Sequence, residues 1–211
     1  MSPKPISRVY HLADERNLAS IKKLGLMSTS GLLDCTGVSG PERERIEKEQ
    51  RRAGAVLPGG IVIRDQTPMP PAALARCIVD GTSPADWYAL LNSYVFFWID
   101  PERLARQARA CAPAPQHILE IDAARMLARH APRAFVTAFN TGNAMRLAAR
   151  RGRASFVPYE KWLSSGWAHE STELGLPMRA LSHRPVELAI AGAAAEIMDY
   201  VIRIRRFDPS V

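Results

Sequence analysis

The period of the apolar positions changes repeatedly along the chain, and each change predicts an element. Residues 8–12 alternate around Val9-Tyr10-His11 and read as a short strand. Asp14 is placed to cap a helix over 17–24, where apolar residues stand at 18, 21 and 24 and Gly25 follows as a helix-ending glycine. Residues 30–34 read as a further helical turn. The segment 41–52, PERERIEKEQRR, is polar nearly all round, with proline in its first turn and mixed-sign pairs four apart. That pattern predicts an exposed flap. Residues 60–65 read as a strand, and 70–79 and 84–92 as helices. YVFFW at 94–98 is aromatic and β-branched, the signature of a buried strand. A helix over 101–110, a strand over 117–121, a helix capped by Asp122 and running to His130, a strand over 134–139 and a turn at 140–143 follow. From 162 to 184 the pattern weakens into Ser, Gly, Pro and His, which predicts a long loop. Strands over 185–190 and 200–207 close the chain. Helices crowd the first half and short strands the second without regular alternation, so the class is α+β rather than doubly wound.

A chain of 211 residues suits one domain spanning 1–211. It is long enough to bury a core without a metal or disulfide staple. The longest uncharged apolar run, 188–195, is far short of the roughly 20 residues that span a bilayer. The opening MSPKPISRVYHLADE has no apolar signal core. Cys35, Cys77 and Cys111 are odd in number and far apart, and the five histidines show no His-x-x-x-His spacing. The expectation is a reduced, cytoplasmic protein with no membrane partner and no resident metal.

Charge is unevenly placed. Between 101 and 153 stand ten arginines (103, 106, 109, 125, 129, 133, 146, 150, 151 and 153) against three acids, so this quarter carries the whole net charge of +7. Arginine forks onto phosphate, and a clustered basic face attracts polyanions. Arginine-solvated helices in an Ala/Arg-rich chain give the same count, so charge names a partner class and no chemistry.

The common motifs fail: neither spacing of a phosphate-binding glycine loop is present, nor a Gly-x-Ser-x-Gly elbow. Four weaker signals remain. His11 lies on the first strand, where a satisfied core histidine is the plain alternative. Glu187 interrupts the apolar strand Val186-Glu187-Leu188; period-two alternation puts it either on a solvent face or in a cleft, where a carboxylate is costly and therefore functional. Arg64 in IRDQ is a phosphate clamp or an ion pair. LNSYVFFW is a core strand or the floor of an aromatic-lined pocket.

In order, these pieces resemble the ADP-ribosyltransferase superfamily, and within it the DarT-like nucleic-acid modifiers. Val9-Tyr10-His11 followed by Asn17-Leu18, Ile21 and Gly25-Leu26 resembles the opening of that group. Arg64 with Pro68-Met69, then YVFFW, resembles its arginine segment and aromatic strand, and PVELAI resembles the strand presenting its glutamate. More closely, the chain looks like a bacterial domain family with the pattern RDQxPM, LNxxVFFW and a later Asn-x-Gly. The segment before Glu187 departs from the DarT acceptor loop, so the resemblance bears on fold and NAD use more than on the acceptor.

The resemblance implies an ADP-ribosyltransferase-like split, mixed β-sheet with helices around it, holding NAD as substrate in a cleft. His11 would bond the adenosine ribose, with the His11–Leu12 backbone near the nicotinamide amide and Asn17 also on the cofactor. One of Tyr94, Phe96 and Phe97 would pack on the nicotinamide ring. Glu187 would bind the nicotinamide ribose and stabilise positive charge at its anomeric carbon, and Arg64 would hold the pyrophosphate or orient the acceptor. The segment 162–184 stands where the acceptor-recognition loop would be. DNA or RNA through the arginine-rich 101–153 region is the implied acceptor, and a toxin role with an antitoxin partner is implied for the group. The alternatives are an NAD glycohydrolase, an RNA 2′-phosphotransferase, and a non-catalytic nucleic-acid-binding module.

Overall fold

A computed structural model describes residues 3–145 and 148–207. Arg146 of the arginine-rich stretch lies outside the described residues. In chain order the first half contains β1 (Arg8–Asp14), α1 (Leu18–Leu24), β2 (Leu26–Met27), α2 (Thr29–Thr36) and α3 (Gly40–Lys48), then β3 (Ala55–Val56), β4 (Val62–Ile63), α4 (Pro71–Cys77), α5 (Pro84–Asn92) and β5 (Tyr94–Trp98). The second half contains α6 (Pro101–Ala110), β6 (Gln116–Asp122), α7 (Ala123–His130), β7 (Ala134–Thr137) and β8 (Val157–Pro158). It ends with α8 (Tyr159–Ser165), α9 (Ala168–Leu174), β9 (Glu187–Ala191), β10 (Ala193–Ala194) and β11 (Val201–Arg206).

The fold is α+β, with helices around a seven-stranded sheet of order β11-β6-β1-β5-β9-β7-β8. The resemblance implies a mixed sheet; every described ladder within it is antiparallel. The sheet is split. β1 pairs with β6 along its whole length, from Arg8↔Asp122 to Asp14↔Gln116, and β5 pairs with β9 from Tyr94↔Ala191 to Trp98↔Glu187. Between β1 and β5 the register has one pair, Tyr10↔Trp98, after which the two strands part.

Alternation sends successive side chains to opposite faces and builds a separate core on each. Val9, Val95, Phe97, Leu119, Ile121, Val136, Leu188 and Ile190 face Met126 and Leu127 of α7 together with Trp162 and Trp167. On the other face Tyr94, Phe96, Phe135 and Ala189 meet Leu74 of α4 and Trp87, Tyr88 and Leu91 of α5. Tyr10, Leu12 and Trp98 lie under Leu104 and Ala108 of α6 on that same face. The split therefore opens between α5 and α6.

Three sequence expectations change. The polar segment 41–52 is no flap: α3 docks through Ile46, which is 1% exposed and packs with Leu33, Leu57 and Ile63. One apolar residue in a nine-residue helix is too faint a stripe to see in the pattern. The predicted loop 162–184 contains most of α8 and all of α9, two short helices joined at Gly166 and buried through Trp162, Trp167 and Glu170. The strand over 60–65 shortens to the two residues of β4. Gly25 does end α1, with φ +78°, and a Cβ there would lie 2.2 Å from the carbonyl oxygen of Ala195. Gly25→Ala is expected to destabilise the fold by more than the roughly 1 kcal/mol that the same change adds at a compatible position, read as a fall in denaturant midpoint.

Candidate active site

The split opens into a cavity of about 910 Å³. His11, Leu12, Asn17, Arg64, Tyr94, Phe96, Phe97 and Glu187 all line it, so residues from five separate stretches of sequence converge on one site.

His11 follows the Tyr10↔Trp98 pair directly and spans the parting strands with its ring. Its Nδ1 lies 2.9 Å from the carbonyl oxygen of Phe96. A carbonyl only accepts, so Nδ1 carries the proton and Nε2 keeps a lone pair. Burial is the main reason its pKa falls to about 4; the Phe96 bond opposes that fall and the Arg64 charge adds to it. At neutral pH the ring is a neutral acceptor.

Glu187 opens β9 beside Thr137 of β7 and Trp98 of β5. It is 5% exposed. Its Oε2 accepts from the backbone N–H of Thr141 at 3.1 Å and from the Thr141 hydroxyl at 2.8 Å. The Thr137 hydroxyl lies 3.0 Å from the same oxygen and 2.9 Å from the Phe139 carbonyl, with one proton to share between them. Oε1 has no partner among the described residues. Burial pushes the carboxyl pKa up, against these hydrogen bonds and the charge of Arg151.

Arg64 donates Nη2 to the Leu12 carbonyl at 3.0 Å and to Gln116 Oε1, and Nη1 to Cys111 Sγ at 2.8 Å. It therefore presents a fixed positive charge on the cavity wall. The Leu12 C=O faces away from β6 to reach it, and in an antiparallel ladder the N–H of the same residue turns the same way. Leu12 thus gives its carbonyl to Arg64 at the split while its side chain stays in the core. Asn17 is placed otherwise than a simple ligand: its amide pairs with both the N–H and the C=O of Val62, at 2.8 and 2.7 Å, fixing the wall that leads to Arg64.

Alternation divides the aromatic strand. Phe97 is 1% exposed on the α7 face, edge-on to His11 with centroids 5.8 Å apart, so it supports the imidazole from below. Tyr94 and Phe96 stand on the Glu187 face, half-buried, and lean on Phe156; Tyr94 stacks on that ring at 4.7 Å and 9°.

Two groups escaped sequence reasoning. The Asn140-Thr141-Gly142-Asn143 turn is legible, but nothing in it signals that Thr141 grips Glu187. Arg151 counts as a solvated or phosphate-binding arginine in the sequence, yet it is 1% exposed. The ten arginines are not one face: Arg103, Arg106 and Arg109 are exposed on α6, with the first two lining the cavity, whereas Arg125 and Arg129 sit on α7 across the sheet. Arg133 is tied to the Ala191 carbonyl and to His130. Among the described residues no group of three His, Cys, Asp or Glu side chains is placed to hold a metal, and no helix is long and apolar enough to cross a membrane.

Residues 7–201 match the family model DUF7002, a family of unknown function. The chain belongs to the DUF7002 family. No curated protein matches it. Among solved structures this DUF7002 chain is similar to Thermus sp. 2.9 DarT in complex with ADP-ribosylated ssDNA, at 14% identity and a TM-score of 0.42, covering 100% of this chain and 86% of that one.

Proposed function

We propose that this DUF7002 protein is an NAD-dependent mono-ADP-ribosyltransferase of the bacterial cytoplasm that modifies a nucleic acid. One observation carries the reading: Glu187 is a buried carboxylate with Oε2 held by Thr141 and Oε1 without a partner among the described residues, in the same cavity as a neutral His11, the Tyr94 and Phe96 rings and the Arg64 charge. The cavity volume lies in the roughly 300–1,000 Å³ range of small-molecule sites. The donor set also fits NAD. Nε2 of His11 can accept a ribose hydroxyl, Arg64 can face the pyrophosphate, and one aromatic face can take the nicotinamide.

Glu187 then acts in two ways. Its free oxygen accepts the 2′-hydroxyl of the nicotinamide ribose, and its fixed charge stabilises the positive anomeric carbon as the C–N bond breaks and its electron pair leaves with nicotinamide. The acceptor nucleophile bonds that carbon and loses its proton. A nucleic-acid acceptor is supported by Arg103 and Arg106, which put two exposed guanidiniums of α6 at the cavity, with the exposed Arg109 further along the same helix.

The test is nicotinamide release from NAD with no nucleic acid, with DNA and with RNA, comparing the natural chain with Glu187→Gln. Glu187-dependent release stimulated by one nucleic acid supports transfer and names the acceptor. Release without stimulation makes water the acceptor, and no release under any condition overturns the enzyme reading. Arg64→Gln is expected to raise KM for NAD about tenfold or more with a smaller change in kcat, because a charge-assisted contact is lost from the bound substrate.

A further inference from the structure

Arg151 is a buried guanidinium with no carboxylate in salt-bridge contact among the described residues. Its donors go to three backbone carbonyls: Thr141 at 3.0 Å, Asn143 at 2.8 Å and Ala149 at 3.1 Å. Its plane lies 4.9 Å from the Phe139 centroid and 5.6 Å from that of Trp87. The first two carbonyls belong to the turn whose Thr141 N–H and hydroxyl bind Glu187. Phe139 is flanked by a second guanidinium, Arg179 at 5.8 Å, which the buried Glu170 holds at 2.6 Å.

An unpaired buried charge is costly, and packing a hydrophobic side chain here would avoid that cost. What the arginine supplies instead is a rigid turn and a positive charge one residue removed from the Glu187 carboxylate. We propose that Arg151 is a positioning residue of the Glu187 site: it fixes the Thr141 turn and favours the charged carboxylate, and so extends toward lower pH the range over which the site works.

Around this pair the titratable and charged groups are few. Arg151 is the charged group acting on Glu187. Cys77 of α4 is the other titratable group acting on the guanidinium. The β5 and β7 neighbours of Glu187, Trp98 and Thr137, carry no charge. The activity half of the proposal rests on the transferase reading; the titration half does not.

The experiment uses the full chain as Arg151→Gln and Arg151→Lys, with Glu187→Gln to assign the signal. The Glu187 carboxyl is titrated by NMR on protein labelled at the glutamate side-chain carbon, and nicotinamide release is followed against pH. Arg151→Gln is expected to raise the Glu187 midpoint and the acid limb of the activity profile together, by about one pH unit. Arg151→Lys keeps the charge without the three-carbonyl grip, so the midpoint returns most of the way while thermal stability falls. An unmoved midpoint in folded Arg151→Gln overturns the proposal. Should that variant fail to fold, Phe139→Leu loosens the guanidinium from its ring, and an unmoved midpoint there overturns it equally. A midpoint that moves in protein that releases no nicotinamide supports the role of Arg151 and overturns the transferase reading.

Discussion

Glu187→Gln is expected to slow nicotinamide release by at least about a hundredfold while the protein stays folded and becomes more stable at neutral pH. The loss follows from removing a preorganised charge from the place where positive charge develops, an effect of order 10²–10³ or more for a single such group. The gain follows from linkage. Burial raises the folded-state pKa of Glu187 above its ordinary value. As pH climbs through the window between the unfolded and folded pKa, the native state holds a proton that the unfolded state has lost, and stability falls. Above that window the fold carries the full cost of the ionised carboxylate. Glutamine keeps the shape, and its carbonyl can still accept from Thr141. Denaturant melts at pH 7 and near pH 4 check this: the variant leads at pH 7, and the lead shrinks as the natural carboxyl protonates. Equal stability at both, or unchanged turnover, would remove Glu187 from the proposed role.

His11 gives the second large effect, with the opposite sign. Its pKa is lowered from 6.5 to about 4, so the neutral ring is favoured in the fold. That contribution is complete above pH 6.5 and is lost as pH falls toward 4, because the unfolded chain takes up the proton first. At 1.36 kcal/mol per unit, the span amounts to up to about 3 kcal/mol. His130 is shifted the same way by burial, so a bare pH series contains both. His11→Asn separates them: the asparagine amide can still donate to the Phe96 carbonyl but does not titrate. The expected result is a shallower loss of stability between pH 6.5 and 4 in the variant. Parallel curves would mean that the ring protonates in place without strain.

Local elements were legible wherever caps and period agreed. α5 runs from Pro84 to Asn92 as read, with a Ser83 cap that the structure adds; β5, α6 and β6 also stand within a residue of their reading. α8 and α9 were hidden because each is seven residues long and its buried positions are a tyrosine, a tryptophan and a paired glutamate rather than an aliphatic stripe. At the site, residues on strands could be named from motif order, since their places follow from alternation. Which face they take could not. Phe96 and Phe97 are neighbours in sequence and lie on opposite sides of the sheet, and only the Trp98↔Glu187 register shows which of them shares a side with the carboxylate. Thr141 and Arg151 stayed hidden for another reason: their partners are backbone carbonyls and a residue 46 positions away, which no periodicity encodes.

The parting of β1 from β5 after one shared pair leaves the Leu12 carbonyl without a strand to pair with, and the Arg64 guanidinium takes that place. Main-chain groups left at the edge of a sheet need a partner, and here a side chain from a different stretch of sequence supplies it. The gap in the sheet is thus closed by one arginine rather than by a strand, so replacing Arg64 would strip a buried carbonyl of its donor as well as remove a charge from the cavity wall.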